Sequence, residues 1–88
     1  MQIKKDFTIQ PVGGMFVAVP VGATSKSFHG MVQLNETGAF LWKRMAEKDC
    51  TEAELTEALL SEYDVERETA ATAVRRVVEQ LRAAEILQ

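Results

Sequence analysis

The sequence has few of the residues on which catalysis and metal binding depend. Its 88 residues include one cysteine, Cys50, and one histidine, His29. A single cysteine excludes an internal disulfide and is typical of a reducing compartment, so we expect a cytoplasmic protein. One cysteine and one histidine cannot supply four zinc ligands within a chain, and the glycines form neither a P-loop nor a dinucleotide-binding fingerprint. We therefore expect a binding or scaffolding protein that is not an enzyme and needs no cofactor of its own.

Long hydrophobic runs and an excess of basic charge are also missing. No apolar run approaches the roughly 20 residues that span a bilayer, and the charged start, residues 1–5, does not resemble a signal peptide. The 10 Lys and Arg against 13 Asp and Glu give a net charge of -3, which provides no general attraction for nucleic acid or an anionic membrane. With 47% hydrophobic and 26% charged residues, we expect one soluble globular domain over residues 1–88.

The first part of the chain has the pattern of a small sheet. Four of the five glycines and both prolines precede Asn35. Residues 7–10 alternate apolar and polar, residues 11–14 have turn composition, residues 15–19 form a continuous β-prone run, and residues 28–34 alternate again. This order predicts a three-stranded antiparallel meander with two open edges.

The second part has helical periodicity. Asn35 is a good N-cap for a first helix, and Thr51 with Glu54 forms the capping box of a second. A third helix should begin between residues 64 and 68 and run to about Ala84, after which the last residues turn back onto the core. Its predicted core stripe consists of Ala70, Ala73, Val74, Val77, Leu81 and Ala84. The expected fold class is α+β, three antiparallel strands followed by three helices.

The most specific string in the chain covers residues 34–42 and reads Leu-Asn-Glu-Thr-Gly-Ala-Phe-Leu-Trp. It resembles the signature of the PqqD-like family, which includes the recognition elements for precursors of ribosomally made, modified peptides (RiPPs). The likeness extends to the Gly13-Gly14 pair, to residues 30–33 before the signature, and to residues 62–65 and 81–87. The one departure is Glu85, near which the family often has glycine.

The resemblance implies a winged-helix-like fold that acts as a peptide chaperone without chemistry of its own. Family members bind the leader segment of a precursor peptide as an extra strand beside the third strand, with the third helix as the other wall of the cleft. The implied partners are this precursor peptide and a radical-SAM maturase, whose iron–sulfur clusters belong to the enzyme. Membership alone does not say that the product is pyrroloquinoline quinone, because similar domains serve other peptides.

The residues of the chain are compatible with such a cleft. An open edge strand is a template for strand addition, and the candidate positions there are His29, Gly30, Met31, Val32, Gln33 and Leu34. On the third helix, a stripe beside the core stripe has an apolar centre between two cations and suits a hydrophobic peptide with nearby acids; it consists of Ala71, Arg75, Val78 and Arg82. The alternative interpretation of this stripe is a solvated flank with ion pairs along the helix.

Two aromatic residues of the signature have different expected roles. Trp42 falls on the predicted core stripe of the first helix with Leu41 and Met45, so we expect it to be buried. Phe40 falls off that stripe. It can contact the maturase or pack under residues 23–27, and the sequence does not decide between these two roles.

The sequence is also compatible with two other functions and with one assembly. Three helices and a small sheet can form a winged-helix DNA-binding regulator, although the arginines of the third helix alternate with glutamates and form no consistent basic stripe. The chain can also be a structural subunit of an enzyme complex that never touches the peptide. An exposed edge strand can in addition pair with a second copy to form a homodimer.

Overall fold

The computed structural model describes residues 1–22 and 32–88. It contains three strands followed by three helices, and this confirms the predicted α+β fold. The elements are β1 (Phe7–Val12), β2 (Met15–Pro20), β3 (Val32–Leu34), α1 (Glu36–Glu47), α2 (Glu52–Glu62) and α3 (Arg67–Ala83). The first part of the predicted third strand, residues 28–31, lies outside the described residues.

The sheet is antiparallel, with the order β1-β2-β3. The β1–β2 hairpin turns through two residues, and the first of them, Gly13, has a φ of +62°, a conformation that glycine adopts without steric cost. The prediction that Pro11 and Val12 belong to the turn is wrong, because they pair with Phe16 and Met15. A two-residue turn is sufficient here, and an edge strand tolerates a proline.

The core lies between one face of the sheet and the three helices. Cross-strand neighbours such as Ile9 and Ala18 direct their side chains to this face, while Val12 and Met15 on the other face are exposed. Trp42 is buried in the core, as predicted from its helical spacing. Residues 1–22 and 32–88 contain no helix that is long and apolar enough to cross a membrane.

The signature residues place α1 directly after β3. The Asn35 side chain caps α1 by accepting a hydrogen bond from the Gly38 N–H at 2.8 Å, as predicted. Gly38 leaves little space beside it, since a Cβ atom there would lie 3.1 Å from the Cβ of Leu34. The absence of a side chain at Gly38 therefore allows the first turn of α1 to fold closely against the end of β3.

The end of α3 is a Schellman motif. The N–H groups of Ile86 and Glu85 donate to the carbonyl oxygens of Leu81 and Arg82, both at 3.0 Å. Glu85 has a φ of +60°, in the left-handed region that favours glycine. Ile86 is buried, and Leu87 forms a β-bridge with Ile3. The predicted return of the last residues to the core is thus confirmed, with glutamate at the position where the family often has glycine.

Candidate functional site

A groove lies between β3 and α3. Its volume is about 330 Å³. It is lined by Met15, Gln33, Leu34, Asn35, Thr37, Gly38, Ala73, Arg76, Val77 and Gln80. Leu34 and Val77 are almost fully buried and form an apolar floor, whereas Gln33, Arg76 and Gln80 are exposed at the rim.

The backbone of Gln33 points to the open edge of β3. Pro11 lacks an N–H, so it cannot form a reciprocal hydrogen-bonded pair with Phe16 opposite. In an antiparallel ladder, hydrogen-bonded and non-hydrogen-bonded pairs alternate, and both backbone groups of a residue point to the same side of its strand. The backbone groups of Phe16 therefore point away from Pro11 and towards β3, where they bond to Leu34. The next pair, Val17 with Gln33, is then not hydrogen-bonded, and the N–H and C=O groups of Gln33 face away from β2.

A second observation agrees with this direction. The Gln33 carbonyl oxygen accepts a hydrogen bond from the Nε2 of Gln80 on α3, at 3.1 Å. The open edge of β3 therefore faces α3 across the groove. Among the described residues, β3 has β2 on one side and no strand on the other.

One face of α3 supplies the wall opposite β3. Its residues follow the spacing i, i+3, i+4, i+7, which places them on one side of a helix; they are Ala73, Arg76, Val77 and Gln80. The sequence pattern predicts Ala73 and Val77 only as core residues, and it does not predict a place in the groove for Arg76 or Gln80. Arg76 and Gln80 lie four residues apart on a helix face next to the buried Val74 and Leu81. This spacing indicates a shared face, but it does not indicate which element lies opposite.

The stripe predicted on α3 does not line the groove. Val78, the predicted apolar centre of this stripe, is 1% exposed and packs in the core. Arg75 is exposed and Ala71 is half-buried, and neither belongs to the groove lining. Arg82 lies near the chain start, with its Nη2 atom 3.7 Å from the Sδ of Met1. Val78→Asp would therefore place a charge in the core and destabilise the fold.

The predicted positions on the third strand are only partly described. His29, Gly30 and Met31 lie outside the described residues. Val32 and Leu34 belong to β3 with buried side chains, and Gln33 is exposed between them. Of the predicted strand positions, the structure thus brings Gln33 and Leu34 into the groove.

The remaining reactive or aromatic side chains that are described have structural partners. Cys50 is buried, and its Sγ atom lies 3.4 Å from the carbonyl oxygen of Lys48. Phe40 packs edge-to-face against Tyr63, with ring centres 5.7 Å apart, and the guanidinium carbon of Arg44 lies 5.5 Å from its ring centre. Desolvation raises the pKa of Tyr63 above its ordinary value. Phe40 thus joins α1 to the end of α2.

Comparison with solved structures identifies the class of fold. The chain is similar to TbiB1 in a complex with the TbiA(beta) leader peptide, with a TM-score of 0.72 and 22% sequence identity. The match covers 100% of this chain and 95% of that one. At this identity the likeness concerns the fold.

The sequence model described as Coenzyme PQQ synthesis protein D (PqqD) matches residues 16–87. The chain therefore belongs to the PqqD family, as the signature at residues 34–42 predicted. The matched region contains β3, α1 and α3, which form most of the groove. No curated protein matches the chain.

Proposed function

We propose that this protein is a non-catalytic peptide chaperone that binds the leader segment of a ribosomally made precursor peptide. The leader lies in the groove as a fourth strand beside β3 and is presented to a radical-SAM maturase. The observation that carries this proposal is the open backbone of Gln33, which faces α3 and whose carbonyl is held by a side chain and not by a strand. The family and the leader peptide bound to TbiB1 support the class of ligand.

The groove suits an extended peptide for two physical reasons. Backbone hydrogen bonds to β3 hold a strand without regard to its side chains, each contributing about 1 kcal/mol net. The apolar floor of Leu34 and Val77 adds the burial of one or two apolar side chains. Since ordering a flexible leader is costly, we expect an affinity near micromolar, about -8 kcal/mol.

The groove is small for a peptide site, because its 330 Å³ lies at the lower end of the range for ligand pockets. It therefore holds a short part of the leader, and the rest of the precursor remains free for the maturase. In this arrangement the protein contributes affinity and orientation, and the enzyme contributes the chemistry. The same open edge would also pair two copies of the chain, in which case leader binding would compete with dimerisation.

A scan of N-methylated leader peptides tests strand addition directly. Candidate leaders encoded beside the gene are synthesised with one backbone N–H replaced by N–CH₃ at each successive position, and their affinities are measured by calorimetry. Because alternate residues of an added strand point their N–H groups towards β3, only every second position within the bound segment should lose affinity. Equal loss at all positions, or loss only on side-chain replacement, would contradict strand addition.

A duplex-binding control separates the DNA-binding alternative. Random DNA duplex is titrated at two salt concentrations, because binding to phosphates weakens steeply as salt rises. We expect no binding by the folded protein, whereas a salt-steep interaction would favour a winged-helix regulator. Binding of a co-encoded radical-SAM enzyme without any leader binding would favour a structural subunit.

A further inference from the structure

Arg76 is the charged side chain among the residues that line the groove. The other lining residues are apolar or uncharged polar. Arg76 is exposed, and within the described part of the chain its guanidinium takes part in no ion pair; the pairs found there join Met1 with Asp49 and Arg67 with Glu57. The groove thus combines an apolar floor with one cation on its α3 wall.

We propose that Arg76 determines which leader peptides the groove accepts, by pairing with a carboxylate side chain of the peptide. This inference rests on the proposed function and names the chemistry of its ligand. A guanidinium presents its donors in a planar fork that matches a carboxylate. An apolar peptide side chain over Leu34 and Val77 would place the backbone of the peptide beside Arg76, where an acidic side chain reaches the guanidinium.

The spacing of the two peptide side chains follows from strand geometry. Successive side chains of a strand point to opposite faces, so residues two apart face the same side. The apolar and the acidic residue both face α3 and are therefore expected two positions apart in the leader. This requirement is stricter than a general preference for acidic peptides.

The charges around the groove favour a peptide carboxylate only at the position that reaches Arg76. The chain has a net charge of -3, so it does not attract acidic peptides as a whole. Glu66 and Glu68, near the start of α3, line a second depression that shares Ala73 and Arg76 with the groove. Glu36 in the first turn of α1 is exposed, and its neighbours Asn35 and Thr37 line the groove. A carboxylate placed beyond the reach of Arg76 in either direction is repelled, so these acids help to fix the register of the peptide.

Arg75 provides a matched control within the same helix. It is also exposed and carries the same charge, but it lies about 100° around the helix from Arg76 and does not line the groove. Reversal of either charge changes the net charge of the protein equally. A difference between the two variants therefore reports position in the groove and not overall electrostatics.

The test compares leader affinities of the wild type, Arg76→Gln, Arg76→Glu and Arg75→Glu, after amide spectra have shown that each is folded. We expect a two- to fivefold loss for Arg76→Gln, about tenfold for Arg76→Glu and less than about twofold for Arg75→Glu. Each Asp or Glu of the leader is then replaced by Lys, one at a time. One of these Lys peptides should bind the Arg76→Glu variant with restored affinity. That position should lie two residues from an apolar residue.

Three results would overturn the inference: equal losses for Arg75→Glu and Arg76→Glu, no loss for Arg76→Glu, or no restoring replacement in the leader. Amide chemical-shift changes of the labelled wild-type protein on addition of its leader distinguish failure of this inference from failure of the proposed function. If shifts occur at β3 and α3 while Arg76→Glu binds normally, the leader uses the groove without this charge pair. If no shifts occur there, the groove is not the leader site and both proposals fail.

Discussion

The two edges of the sheet differ in what they offer to another strand. At the β1 edge, Pro11 lies opposite Phe16 in a pair without hydrogen bonds, so its backbone faces outwards. The proline ring therefore occupies the place of an outward N–H. At the β3 edge, Gln33 directs both its backbone groups outwards, and α3 stands opposite. None of the residues that line the groove belongs to β1. The β1 edge thus lacks one outward donor at Pro11, whereas the β3 edge has both outward backbone groups of Gln33.

Under the proposed function, this contrast would let a small open sheet accept one peptide without general aggregation. A proline on an edge strand removes a donor and discourages pairing with other chains. On the other edge, α3 adds a side-chain wall, so the proposed backbone pairing would be coupled to a fit with Val77 and Arg76. Strand addition then depends on the peptide's side chains as well as on its backbone.

The largest effect on leader binding is expected from a proline placed on the β3 edge. Gln33→Pro removes the outward donor of β3 and should weaken leader binding about tenfold, about 1.4 kcal/mol. The fold should persist, because this N–H makes no ladder bond to β2 and the side chain is exposed. Affinity is measured by calorimetry, with circular dichroism to confirm folding.

Pro11→Val is the matched control for this exchange, because it restores a donor on β1 and leaves β3 unchanged. Its leader affinity should equal that of the wild type. Normal binding by folded Gln33→Pro, or a gain in leader binding by Pro11→Val, would contradict the assignment of the two edges.

A smaller effect is expected at the end of α3, away from both edges. Glu85→Gly relieves the left-handed backbone at φ +60° and should raise the free energy of unfolding by about 1 kcal/mol. Thermal and urea unfolding measure this gain. Leader affinity should not change, since Glu85 does not line the groove; destabilisation by glycine would show that the Glu85 side chain contributes more than its backbone strain costs.

The smallest effect concerns the hydrogen bond between Gln80 and the Gln33 carbonyl. An incoming strand replaces this bond, so Gln80→Met, which keeps the length of the side chain but cannot donate, should bind the leader about threefold more tightly. Glu79→Met is the control, since Glu79 is exposed on α3 outside the groove. Weaker binding by Gln80→Met would instead mean that Gln80 contacts the peptide.

Local signals in the sequence were sufficient for the elements and their caps. Asn35 before Gly38, and Thr51 before Glu54, predicted helix starts that the structure contains, because capping depends on residues only three apart. The extension of β1 through Pro11 was missed because proline is also a turn residue. Its place in the strand depends on pairing with β2, which the local pattern does not contain.

The groove could be predicted only in outline for a similar reason. A single buried stripe was assumed for α3, but this helix packs against α1, α2 and β3. Its buried arc therefore includes Val77 and Val78 together. A shift of one residue turns a helix by about 100°, and so Arg76 lines the groove whereas Arg75, which was predicted to do so, does not. Only the packing of α3 against the other elements decides between these neighbours.

The most direct measurement of the central claim is an amide NMR titration of the labelled protein with its co-encoded leader peptide. Saturable shifts at Gln33 and Leu34 on β3, and at Arg76, Val77 and Gln80 on α3, with unchanged signals along β1, are the predicted result. A folded protein that shows no shifts with any such leader, or shifts along β1 instead of β3, would contradict it.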